Sequence, residues 1–99
     1  MNYTEYQSIK AESNRRAPQI VPVWLPDGKR QGNEWIARNP TRNDKTAGSF
    51  KINLSTGQWI DFASGDKGES IVSLAIYLHG DRSPYEAAEN LARMMGFKS

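Results

Sequence analysis

The sequence predicts an α+β fold, a small antiparallel sheet of two hairpins with one helix before it and two after it. Three observations point there. Residues 49–54, SFKINL, alternate apolar and polar, with Phe50, Ile52 and Leu54 on one face and Lys51 and Asn53 on the other. Ile71, Leu74, Ala75 and Leu78 recur at i, i+3, i+4 and i+7, the spacing of one helix face. Ser83-Pro84-Tyr85-Glu86 has the residues of a helix start: a hydroxyl at the cap, proline in first position and a carboxylate three residues on, a capping box. Strands followed by helices place the helices on one side of the sheet.

Taken in order, residues 4–17 (TEYQSIKAESNRRA) hold good helix formers and neither Gly nor Pro, so a polar first helix is predicted. Pro18 and Pro22 bracket QIV; Pro18 opens a short second helix, or the segment runs extended into Trp24 and Leu25, and the residues admit both. PDG at 26–28 and QGN at 31–33 are turns, so GKRQ and EWIAR pair as the first hairpin. Residues 39–48, NPTRNDKTAG, form a polar loop. STG at 55–57 turns SFKINL into QWIDF as the second hairpin, and ASGDKG at 63–68 is a loop. Gly80 ends the helix begun at Ile71. Ala87, Ala88, Leu91, Met94 and Met95 make the buried stripe of the last helix, which Gly96 stops.

Ninety-nine residues, 37% hydrophobic and 24% charged, make one compact domain of ordinary composition. No apolar run reaches membrane-spanning length, and residues 1–16 are too polar for a signal peptide, so a cytoplasmic location is expected. The absence of cysteine excludes disulfides and thiolate metal sites, and His79 alone builds no zinc site; no metal or cofactor is expected. The net charge of +2 is unevenly spread. Residues 1–51 carry nine Lys or Arg against five acids, whereas residues 52–99 carry four against six. That distribution suits a polyanion-binding face with a neutral or acidic back.

The run from Gly32 to Gly96 is more specific. Its segments NPTRND, GSFKINLSTGQW, DFASGDKG and SPYEAAENLA resemble, in order and spacing, the N-terminal zinc-ribbon domain of bacterial and phage DNA primases. The variant at the front of phage and mobile-element primase-helicases is the most similar. The resemblance covers roughly residues 28–96, which divides the chain into an N-terminal helical segment and linker (1–27) and a ribbon-like domain (28–99). Zinc-bearing relatives carry one Cys-x-x-Cys or Cys-x-x-His pair before the second hairpin and another after it. Here the second pair's places fall on Asp61 and Ser64, and the first pair's region, Ala37 to Arg42, holds no ligand type. A metal-free ribbon is therefore expected, with packing of Trp35, Phe50, Trp59 and Phe62 in place of the metal.

The resemblance implies a non-catalytic domain or subunit that binds single-stranded DNA template and assists primer synthesis in phage or mobile-element replication. A polymerase or helicase partner would carry the chemistry, and no small-molecule substrate is implied. The expected DNA-binding residues are Arg38, Arg42, Lys45, Lys51 and Lys67 as phosphate contacts, and Trp59 as a platform for an unpaired base. The same cations also serve to keep a small sheet soluble and to blunt its edges. Asp61, Asp66 and Glu69 suit turn and helix-start chemistry better than catalysis, and GDKG lacks the spacing of a nucleotide-binding loop. The competing reading is a protein-interaction module that docks on a replication or host-defence protein and has lost DNA binding.

Overall fold

The computed structural model describes residues 1–42 and 48–97. Helix α1 (Tyr3–Arg15) begins at Asn2, whose side-chain oxygen accepts the Glu5 N–H at 2.8 Å. Helix α2 (Ala17–Trp24) follows directly, so the segment between the two prolines is helical and not extended. Pro18 lies in the first turn, where a missing N–H costs nothing. Pro22 is tolerated inside because Ala17, Ile20 and Val21 pin the short helix to the core.

The strands are β1 (Lys29–Gln31), β2 (Glu34–Ala37), β3 (Phe50–Asn53), β4 (Trp59–Asp61) and β5 (Lys67–Gly68). They form one five-stranded sheet in the order β1-β2-β3-β4-β5, each neighbour antiparallel. Both expected hairpins are present, but the β2–β3 pairing joins them into a single meander. The segment read as a loop at 63–68 also contributes the edge strand β5, two residues that carry no periodicity of their own.

The inner face of the sheet carries Ala37, Phe50, Ile52, Leu54 and Trp59, which share one core cluster with Ile71, Val72, Leu74 and Ala75 of helix α3 (Ile71–His79). Helix α4 (Pro84–Met94) adds Ala87, Ala88 and Leu91. Helices α1 and α2 complete the same cluster with Ile9, Ala17, Ile20, Val21 and Leu25. Of the expected core residues, Leu78 is half-buried and packs against the cluster from its edge, Met94 is 44% exposed, and Val72, not expected, is buried. Helical spacing identifies a stripe but not how far the neighbouring elements extend along it.

Capping fixes the helix starts. Ser70 and Ser73 form a reciprocal box at α3, each hydroxyl accepting the other's backbone N–H, and Asn14 of α1 accepts the Ile71 N–H at 2.9 Å. At α4 the Ser83 hydroxyl accepts the Glu86 N–H as expected. The Glu86 carboxylate, however, reaches the Arg82 N–H and not that of Ser83, so this start is a cap extended by one residue and not a reciprocal box.

Candidate nucleic-acid interface and the ribbon turns

Residues directly opposite in an antiparallel pair point to the same face of the sheet. The register therefore aligns Lys29, Ile36, Lys51, Ile60 and Lys67 in one row that crosses all five strands on the outer face. Lysine alternates with isoleucine, and lysines on alternate strands stand roughly 10 Å apart, twice the strand spacing. Phe62 lies beside the row and is 64% exposed, and the Lys51 ammonium sits 5.7 Å from its ring centroid. A groove of about 530 Å³ runs over this face; its lining includes Lys51, Ile60 and Lys67, the carboxylates of Glu34 and Glu69, and Trp59.

Of the residues expected to touch DNA, Lys51 and Lys67 fall in this row and Arg38 is exposed just past β2. Lys45 lies outside the described residues. Trp59 needs correction: it is 6% exposed, its ring lies 4.5 Å from that of Tyr77 and its indole N–H donates to Ser73 Oγ at 2.9 Å. Little of the ring is open to a base, although Trp59 borders the groove. Phe62, read from sequence as a core aromatic, is the aromatic on the open face. Strand alternation contains the signal: Trp59 shares its parity with Asp61, whereas Phe62 shares that of Ile60.

Arg42 is engaged in the turns at the end of the sheet. Its Nε and Nη2 donate to Asp61 Oδ2 at 3.0 and 2.9 Å, and Asn39 Nδ2 donates to the same oxygen at 2.7 Å. Asp61 Oδ1 accepts the N–H groups of Ala63 and Ser64 at 2.9 and 3.4 Å. The carboxylate is fully buried and Asn39 is 1% exposed. Burial by itself pushes the Asp61 pKa up, but the hydrogen bonds from Asn39, Ala63, Arg42 and Ser64 outweigh it and hold the value down at about 2. Tyr77 of α3 joins the cluster: its hydroxyl accepts from Asn39 Nδ2 at 2.8 Å and donates to Asp66 at 2.8 Å.

These residues do not fit zinc. An amide, a guanidinium, one carboxylate and a hydroxyl stand at 39, 42, 61 and 64, and the guanidinium is a pure donor already directed at the carboxylate. Among the described residues no three His, Cys, Asp or Glu gather as a metal would need. Of the four aromatics expected to pack in place of the metal, Phe50 and Trp59 are buried edge to face and Trp35 packs against the core, whereas Phe62 is exposed and polar contacts join the two turns. Asn39 and Tyr77 escaped sequence reasoning because their partners are 22 and 38 residues apart along the chain.

No family model and no curated protein matches the chain. Among solved structures it is similar to the crystal structure of the Aquifex aeolicus primase (zinc binding and RNA polymerase domains), with a TM-score of 0.76, 23% identity and 96% of this chain covered. The likeness is one of fold, and it takes in the N-terminal helices as well as the ribbon. The chain spans 22% of the length of that primase chain.

Proposed function

We propose that the outer sheet face binds single-stranded DNA without regard to sequence, as a non-catalytic accessory part of primer synthesis in phage or mobile-element replication. A polymerase or helicase, attached or separate, would supply the catalysis. The observation that carries the reading is the row Lys29–Ile36–Lys51–Ile60–Lys67 with Phe62 beside it. Three ammonium groups in line offer phosphate contacts, and the isoleucines and the exposed phenyl ring offer apolar surface to unstacked bases. Arg38 adds an exposed cation just past β2. The kinship in fold with a primase supports the same direction.

Titration of a labelled oligonucleotide, followed by fluorescence anisotropy at several salt concentrations, tests this. Weak binding that falls steeply with salt is expected. Replacing Lys29, Lys51 and Lys67 together by Ala is expected to weaken it and to flatten the salt slope by about 2, near 0.7 for each phosphate of a single strand that is no longer neutralised. Phe62→Ala is expected to remove roughly 1–3 kcal/mol and leave the slope alone. No binding at low salt, or a triple variant that binds like wild type, would defeat the reading. The interaction-module alternative would then gain weight. Its natural place is the groove of about 710 Å³ between α1 and α4, where Met1, Ile9, Ala92 and Phe97 leave apolar surface.

A further inference from the structure

We infer that Asn39, Arg42 and Asp61 form a metal-independent cross-link that does the work of a metal centre in joining the two turns of the ribbon, with the Arg42 guanidinium as the bridging cation.

The two turns are built alike. In the first, Asn39 Oδ1 accepts the Thr41 N–H at 2.9 Å, and the Arg42 N–H closes the turn on the Asn39 carbonyl at 3.2 Å. In the second, Asp61 Oδ1 accepts the Ala63 N–H at 2.9 Å, and the Gly65 N–H closes on the Asp61 carbonyl at 2.7 Å. Each turn thus presents a short polar side chain at its head, with a second functional position three residues on: Arg42 and Ser64. The heads are joined directly, Asn39 Nδ2 to Asp61 Oδ2 at 2.7 Å. From the far position of the first turn, Arg42 returns to the same oxygen at 2.9 Å. Ser64 closes the set through its backbone N–H on Asp61 Oδ1.

Three side chains from the two turns, Asn39, Arg42 and Asp61, therefore meet at one point, with the backbone N–H of Ser64 beside them and its hydroxyl turned to the Asp66 N–H; the polarity is the inverse of a metal site. A metal is a cation surrounded by anionic ligands; here an anion stands at the centre and N–H donors surround it. Asp61 is fully buried, and a carboxylate removed from water has to be met by hydrogen-bond donors, by a paired charge, or by both. Arg42 brings that charge, and its planar fork keeps two N–H groups on the carboxylate while a third of the side chain stays open to solvent. Through Asn39 and Tyr77 the cross-link also ties both turns to α3. Arg42 is thereby a structural cation, distinct from the lysine row that faces the proposed ligand.

A double-mutant cycle with Arg42→Met and Asp61→Asn, read by urea unfolding, tests the coupling. Each single change is expected to lower the folding constant by tenfold or more, and the double variant is expected to lose far less than the product of the two. Arg42→Met, measured where it is folded, is expected to leave the salt slope of oligonucleotide binding unchanged. Independent single losses, or a flattened slope for Arg42→Met, would overturn the assignment. In a second arm, Asn39, Arg42, Asp61 and Ser64 are all replaced by Cys, and zinc is supplied during refolding. Uptake of one zinc per chain, with melting that becomes sensitive to chelator, is expected, against a wild type that binds none and melts the same with or without chelator. A folded quadruple variant that takes up no zinc would show that the four places do not share a metal-shaped site.

Discussion

At the scale of single residues, Asp61 couples the fold to pH. Its folded pKa of about 2 lies below the ordinary 3.8, so it binds its proton less readily folded than unfolded. The stability it contributes is complete above 3.8 and is lost as the pH falls toward about 2. Urea midpoints measured from pH 6 downward are therefore expected to drop through this window in wild type, and Asp61→Asn is expected to start lower and to lack that part of the drop. Parallel pH profiles for the two proteins would show that other carboxylates govern acid unfolding. This residue was legible from sequence as a turn acid, but its partners were not. Nothing local in NPTR announces that an amide and a guanidinium close on a carboxylate 22 and 19 residues away.

Among the elements, those with a period of their own were legible, and those defined by a neighbour were not. SFKINL and the α3 stripe follow from alternation and helical spacing; β5 exists only because β4 offers it a partner. That pairing explains Gly68. A Cβ there would lie 2.4 Å from Ser73 Oγ and 2.5 Å from Trp59 Nε1, inside the hydrogen bond between those two groups. Gly68→Ala is expected to cost about 1–3 kcal/mol, as overpacking does, and to shift the near-ultraviolet signal of Trp59 as its indole loses Ser73. An alanine variant of unchanged stability would mean that β5 is free to move aside. On α3 itself, Leu74→Ala is expected to cost about 2–5 kcal/mol. Leu78→Ala, at a half-buried position, is expected to cost clearly less, and urea denaturation ranks the two. The reverse order would place the wrong face of α3 against the sheet.

For the molecule as a whole, the N-terminal segment 1–27 and the ribbon-like part 28–99 share one core. Ile20, Val21 and Leu25 are almost wholly buried in the cluster shared by sheet and helices. At roughly 1.5–3 kcal/mol for each such side chain, they rival the 5–15 kcal/mol of net stability usual for a domain. A chain that starts at residue 28 is expected to lose cooperative thermal unfolding; a sharp transition in its calorimetric scan would make the N-terminal helices an accessory layer. The basic character of residues 1–51 was visible as composition, yet the lysine row is a product of register, since Lys67 joins it only through β5. The same sheet geometry has a spectroscopic consequence. Trp35 is on the inner face and Trp24 sits on α2 with its ring edge-on to His79, whereas Trp59, though only 6% exposed, borders the groove on the lysine face. A nucleic acid laid along that row would pass over lysine, isoleucine and phenylalanine. Of the three indoles, Trp59 is then the one whose emission such a ligand would change, and Trp59→Phe is expected to remove that change from the titration.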